Sequence, residues 1–355
     1  MSYFNRLLLQ CRSGFEKEAA AEITDQCASI GIYGYCTLDQ GGGFVSFHIQ
    51  QEGEAERAIR DLDFNQLIFI RQWMVCGECL SLDREDRVSQ IEAIIEDFPV
   101  CSDVWAEYPD TTEGRELATF ARKFSSALAQ KLRKSDRLNK ASSLRGDRLT
   151  LFVLSGCDIY VGFCPKANSA PWPLGVPRLK FPKSAPSRST LKLEEAWHWF
   201  IPKDQWDQRL AHGATAVDLG AAPGGWTWQL VQRSMFVTAV DNGPMNEDLM
   251  ESGQVRHATE DAYKFVPAEP VYLMVCDVVD KPVKTAKMAS EWIINGWCTE
   301  AIFNLKLPMK QRYQEVVTCL NLIAEQFMQH GLAYELSAKQ LYHDREEITC
   351  HLRAL

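Results

Sequence analysis

Three side chains able to do proton chemistry stand at or beside apolar runs: Asp277 in "MVCDVV", Lys306 in "FNLKLP" and Lys192 in "SRSTLKLEEAW". A lysine flanked by Asn304, Leu305, Leu307 and Pro308 is costly to bury charged. Its amine either snorkels to water or has a lowered pKa. Lys192 can supply the like charge that lowers it, with Asp277 holding both amines. An amine of ordinary pKa near ~10.4 must drop by roughly three pH units to act as a general base near neutrality.

A second constellation lies in "AVDLGAAPGGWTWQL". Gly220, Ala222, Pro223, Gly224 and Gly225 separate an apolar run containing Asp218 from an amphipathic run beginning at Trp226. Such a strand-to-helix turn lets a ligand approach the backbone and offers free N–H groups. The Gly-Lys-Ser/Thr of a P-loop is absent, and Ala222 occupies the place of the second glycine in a dinucleotide fingerprint. Asp241 closes "FVTAVD", where an acid takes ribose hydroxyls. Asp261 in "ATEDAYKF" is placed to accept from an adenine amino group. An adenosine that needs no pyrophosphate cradle points to S-adenosylmethionine.

The elements that must position these residues alternate along residues 187–355. Strands "TAVDLG", "FVTAVD", "VRHAT", "VYLMVCDVV" and "AIFNLKL" are separated by helical stretches, and "AYELSAKQLY" and "EITCHLRAL" form a final antiparallel pair. This is the pattern of an α/β, doubly wound, Rossmann-like sheet. "SRSTLKLEEAWHWF" reads as a helix capped by Ser187 or Ser189. Upstream, residues 1–80 read as a small α+β unit and residues 81–165 as a second. Residues 166–186 hold a stiff, Pro-rich connector carrying Lys166, Arg178, Lys180 and Lys183 without an acid.

Formal charge is −9 overall, yet Arg115 to Lys192 holds 16 basic and 4 acidic residues, a net of +12, leaving −21 for the remainder. A basic block in an acidic chain suits a surface that meets phosphate. The twelve cysteines lie mostly in apolar contexts, which fits reduced thiols rather than a disulfide framework. Cys76 and Cys79 form the one CxxC and have no second pair nearby, so no metal site is expected. No run of about 18 apolar residues appears. A cytoplasmic protein outside the membrane is expected.

"SRSTLKLEEA", "DLGAAPGGWTWQL", "MVCDVV", "FNLKLP" and "HDREEITCHL" follow in the order of the RrmJ/fibrillarin-like 2'-O-ribose RNA methyltransferases, which this sequence resembles. More closely, with "DNGPM", "NGWCTE", "FNLKLPMK" and "LYHDREE", the whole chain resembles the ribosomal large-subunit methyltransferase M family. That resemblance implies a ferredoxin-like unit, a THUMP RNA-binding domain and a methyltransferase domain. It further implies methylation of a cytidine 2'-hydroxyl in the peptidyl-transferase region of 23S ribosomal RNA; a monomer is expected. Ser189, Ala222, Pro223, Gly224, Gly225, Asp241, Asp261 and Asp277 would contact S-adenosylmethionine. Lys306 would be the base in a tetrad with Lys192, Asp277 and a glutamate. That glutamate is Glu347 if the family's Glu-x-Tyr register holds, with Thr349 in the tyrosine's place, and Glu346 is the alternative. Competing readings are a methyltransferase of another structured RNA such as tRNA, a non-catalytic RNA-binding protein, and an NAD-dependent oxidoreductase. The Pro-Gly-Gly turn speaks against the last, and a pure binding protein has no use for Lys192, Asp277 and Lys306 together.

Overall fold

Apolar runs such as "RLLLQC" and "IRQWMVC" become strands, and the helical spacing of "EKEAAAEITDQCAS" becomes helix. In the computed structural model, which describes residues 4–139 and 146–355, the chain divides into two compact units, Met1–Val176 and Pro177–Leu355. Lys140 and Arg145 of the basic block, and Tyr3 at the start of the first expected strand, lie outside the described residues.

The first unit contains strands β1 (Arg6–Cys11), β2 (Gly34–Leu38), β3 (Phe44–Ile49), β4 (Ile70–Cys76), β5 (Leu80–Ser81), β6 (Cys101–Glu107), β7 (Asp147–Val153) and β8 (Asp158–Pro165). Helices α1 (Glu16–Ser29), α2 (Glu54–Asp61), α3 (Arg87–Ile94), α4 (Thr112–Glu116) and α5 (Ala118–Lys134) connect them. The strands form one sheet ordered β2-β3-β1-β4-β8-β7-β6, with β5 beside β8. The two small units expected on either side of residue 80 therefore share hydrogen-bonded backbone, Val75 pairing with Phe163 and Cys76 with Gly162. Glycine is required at that seam, because a Cβ on residue 162 would lie 2.1 Å from the Val75 carbonyl oxygen. The sequence reading missed β2, whose residues are half-buried or exposed and so carry no apolar alternation.

The Pro-rich stretch is only partly a connector. Its first half, through Val176, is built into the first unit. Proline density leaves backbone groups without ladder partners, and side-chain hydrogen bonds tie the stretch to the first unit instead. Asn168 accepts from the Phe64 N–H at 2.9 Å and donates to Leu62 O at 2.7 Å and Ile59 O at 2.9 Å. The Leu174 N–H donates to Glu107 at 2.5 Å, and Trp73 Nε1 donates to Asn168 O at 2.7 Å. Lys166 is occupied by Ser102 at 3.2 Å. Arg178, Lys180 and Lys183 remain exposed.

In the second unit, α6 (Thr190–Phe200) and α7 (Trp206–Arg209) precede β9 (Thr215–Leu219). There follow α8 (Gly225–Gln232), β10 (Phe236–Val240), α9 (Glu247–Glu251), β11 (Val255–Ala258), β12 (Val271–Cys276), α10 (Pro282–Ile294), β13 (Cys298–Lys306), α11 (Arg312–His330), β14 (Tyr334–Lys339) and β15 (Glu347–Ala354). The sheet runs β11-β10-β9-β12-β13-β15-β14. β9 to β13 are parallel, and β15 lies antiparallel between β13 and β14. The doubly wound pattern expected from sequence is thus present, with the chain reversing its direction of growth between β9 and β12. Leu193 and Trp197 of α6 and Trp226 and Leu230 of α8 pack with Val275 and Ile302 of the sheet, fixing both helices against it. All twelve cysteines are free thiols. Among the described residues no helix is long and apolar enough to cross a membrane.

At the amino ends of β12 and β13, Glu300 accepts from Arg209 Nη2 at 2.5 Å and Nε at 3.2 Å, from Tyr272 at 3.1 Å, and contacts His351 Nε2 at 2.7 Å. Burial alone would raise the Glu300 pKa, but His351 and Arg209 outweigh it and bring it from 4.5 to about 2. A depressed carboxyl pKa stabilises the fold above the ordinary carboxyl range and loses that contribution as pH falls. Glu300→Gln is expected to lower the unfolding free energy at pH 7 by about 3 kcal/mol. In urea titrations the difference from the parent should shrink as pH drops below about 4.5; a difference independent of pH would contradict the assignment.

Candidate active site

Strand order sets the site residues in a row along the carboxyl edge of the parallel strands. Asp261 follows β11, Asp241 follows β10, the Gly220–Gly225 turn follows β9, Asp277 follows β12, and Lys306 ends β13. Because β15 runs the other way, its first residue, Glu347, pairs in register with Lys306. Ligands of doubly wound sheets bind at this edge, next to the strand-order reversal.

Lys192, Asp277, Lys306 and Glu347 form an alternating ring of two amines and two carboxylates. Lys192 Nζ lies 3.1 Å from Asp277 Oδ2 and also contacts Glu347 Oε1. Lys306 Nζ lies 2.5 Å from Asp277 Oδ1 and contacts Glu347 Oε2. Side-chain exposures of 14, 16, 19 and 6% in that order leave the ring shielded yet reachable. Burial opposes the charged form of Lys192, but Asp277 and Glu347 outweigh it and raise its pKa. Burial likewise opposes the charge on Asp277, and the two lysines outweigh it and lower its pKa. The sequence reading had Lys192 acting on Lys306 with Asp277 holding both amines; Asp277 reaches both, Glu347 does so as well, and the Lys306 amine is paired rather than snorkelling free. Glu346, the alternative glutamate, turns to Arg312 at the surface and takes no part in the ring.

Further polar residues to which the sequence reading gave no role support the ring. Asn304, two residues before Lys306 and on the same strand face, donates to Asp277 Oδ1 at 2.8 Å. Its carbonyl accepts from Thr349 Oγ1 at 2.8 Å, the residue opposite it in the β13–β15 ladder. Buried Glu195 on α6 accepts from the Tyr342 N–H at 2.8 Å and the His343 N–H at 3.0 Å, tying the turn before β15 to the helix that carries Lys192. The only signal for Asn304 and Thr349 was the period of two counted back from Lys306 and forward from Glu347.

On the other side of the edge, Asp241 Oδ2 accepts the Ala222 N–H at 3.0 Å and Oδ1 the Gly243 N–H at 2.7 Å. Each oxygen keeps a lone pair for a further donor. Asp261 is exposed and accepts the Tyr263 N–H at 2.9 Å. The bareness of the turn, read from sequence as room for a ligand, is first a matter of internal packing. A Cβ at Gly225 would sit 2.2 Å from Ser189 Oγ and 2.3 Å from Ser187 Oγ, and Gly224 has φ +115 with Leu249 against it. Pro223 follows a cis peptide bond. Ser189 holds the N-cap position of α6, one of the two serines expected there, but its side chain makes no capping hydrogen bond; its hydroxyl and that of Ser187 bond each other at 2.7 Å. Asp218, buried below and bonded by Thr227 Oγ1 at 2.6 Å, has its pKa pushed up to about 7 by burial. Asp241 and Asp261 leave this side of the edge acidic, which suits a cationic ligand.

Residues 185–328 match the family model described as FtsJ-like methyltransferase, so the sheet of the second unit is that of a Rossmann-like methyltransferase. Residues 4–74 match the RlmM ferredoxin-like domain, and residues 86–165 the N-terminal region of ribosomal RNA large subunit methyltransferase M. Curated proteins named ribosomal RNA large subunit methyltransferase M are 52% identical in Stutzerimonas stutzeri, over 99% of this chain and 100% of that protein, and 50% identical in Proteus mirabilis, over 98% and 96%. The chain belongs to this methyltransferase family. The solved structure of TrmN from Thermus thermophilus aligns over 99% of both chains at 13% identity with a TM-score of 0.36, too low to bear on function.

The role expected of Asp241 is open to a direct check. Asp241→Ala should weaken S-adenosylmethionine binding in calorimetry by about 1 to 3 kcal/mol, as for a lost hydrogen bond to a charged acceptor. Unchanged affinity in a folded variant would take Asp241 out of the site.

Proposed function

We propose that the protein transfers a methyl group from S-adenosylmethionine to the ribose 2'-hydroxyl of a cytidine in the peptidyl-transferase region of 23S ribosomal RNA. The observation that carries this reading is the ring itself, two lysine amines held on two shared carboxylates beside the Gly-rich turn. The acceptor-rich, acidic edge fits the hydroxyls, amino groups and positive charge of S-adenosylmethionine. When bound, that cofactor supplies an already activated methyl group.

Lys306, in its neutral form, takes the proton of the attacking 2'-hydroxyl. Lys192 is the amine kept charged, because Asp277 and Glu347 outweigh its burial, and it stabilises the negative charge developing on the ribose oxygen. Asp277 and Glu347 each reach both amines and hold them in place. Positioning and electrostatics supply most of the rate on this account. In the first unit the exposed Arg122, Lys123, Arg133 and Lys134 of α5 offer the phosphate contacts that a large RNA substrate needs.

The test is the pair Lys306→Ala and Lys306→Arg. Both should bind cofactor and RNA, while single-turnover transfer falls by a factor of about 10² to 10⁴, the worth of a positioned general base. Arginine should fail almost as badly as alanine, since a guanidinium does not release its proton in this range. An active Lys306→Arg enzyme would overturn the base assignment and leave Lys306 an electrostatic stabiliser.

A further inference from the structure

Asp344, in the turn between β14 and β15, is a buried acid that the proposed mechanism does not use; it is 1% exposed. Counting protons outward from the ring determines its state. Asp277 is an acceptor for both lysines, so it has no proton to give, and the group that Asn304 turns towards it must be the amide NH2. The Asn304 carbonyl then faces Thr349 and needs the hydroxyl proton of that residue across 2.8 Å. A hydroxyl has one proton. The Asp344 oxygens lie 3.2 and 3.1 Å from the same Thr349 Oγ1, so with the Thr349 proton given to Asn304 a hydrogen bond there requires a proton on Asp344. Asp344 Oδ2 already accepts the Leu341 N–H at 2.9 Å, which leaves Oδ1 as the protonated oxygen.

We propose that Asp344 works as a neutral hydrogen-bond donor whose single proton sets the direction of a relay, Asp344 to Thr349 to Asn304 to Asp277, and so fixes Asp277 between Lys192 and Lys306. Asp344, Thr349 and Asn304 are positioning residues on this reading, which rests on the ring being catalytic. The surroundings favour the neutral acid. Burial raises the Asp344 pKa well above the ordinary value, and the charges of Glu347 on β15 and Glu195 on α6 add to it, against the opposing pull of Lys192 on α6. Without the proton from Thr349, Asn304 loses the bond that fixes its orientation. A reversed amide would then set its carbonyl oxygen against the Asp277 carboxylate, turning Asp277 and the amines away from their shared geometry.

The test combines a spectroscopic and a kinetic readout on the full chain. Infrared difference spectra of the parent against Asp344→Asn should show a protonated-carboxyl C=O band, above the amide I region and shifted by deuterium, that the variant lacks. Asn supplies both an acceptor for Leu341 and a donor for Thr349. Its single-turnover rate should therefore stay within about threefold of the parent, whereas Thr349→Val should lower that rate about 10- to 100-fold, the scale of a small misplacement of reacting groups. Affinities for S-adenosylmethionine and RNA should not change in Thr349→Val, and Thr349→Ser should restore the rate. Absence of the band, full activity of Thr349→Val, or a loss confined to binding would each overturn the relay. Lys306→Ala separates the two readings: an active Lys306→Ala enzyme sinks the catalytic ring, while the infrared band still reports the state of Asp344.

Discussion

Two lysine amines are held close together in a half-buried cleft by carboxylates that stand between them. The arrangement rests on the pairing of Lys306 against Glu347 across β13 and β15. The pairing needs a strand that runs against the parallel sheet, because only an antiparallel neighbour brings its first residue to the edge where β13 ends. The α11 helix and the β14–β15 pair together deliver that strand. Asp277 at the end of β12 closes the ring from the other side, and α6 brings Lys192 over both carboxylates.

Each support of the ring is itself tied to the fold. α6 is anchored by Leu193, Ala196 and Trp197 in the apolar core, and Glu195 on the same helix clamps the turn leading into β15. The Gly225 position lets the serines preceding α6 lie directly on the turn after β9. One helix and the serines that lead into it therefore touch both halves of the carboxyl edge, the glycine-rich turn on one side and the lysine ring on the other. At the far end of the sheet, the Glu300 cluster holds the amino ends of β12 and β13 together, the same two strands whose other ends carry Asp277 and Lys306.

Much of this was legible in the sequence, for physical reasons that can be named. Buried parallel strands are apolar runs, so β10, β12 and β13 and the Asp241, Asp277 and Lys306 at their ends stand out. β2 does not, since an edge strand with exposed side chains has no such run. Proline density announced irregular backbone over residues 166–186, but it gave no hint that Asn168, through bonds to residues about a hundred positions away, ties the first half to the end of α2 and the turn after it. Glu346 and Glu347 are adjacent and chemically alike, and only the strand register separates the one on Lys306 from the one on Arg312. Asn304, Thr349 and Asp344 were silent because their significance lies in cross-strand pairing, which a linear sequence does not display.

The central claim is that this ring methylates one ribose of the large-subunit RNA. Mass spectrometry of nuclease fragments of 23S ribosomal RNA tests it most directly, using cells that lack the protein and the same cells supplied with the parent or the Lys306→Ala form. The account predicts that one 2'-O-methylcytidine disappears without the protein, returns with the parent and stays absent with the variant. An unchanged set of ribose methyls in cells lacking the protein, or the loss of a methyl carried on a base instead, would contradict it.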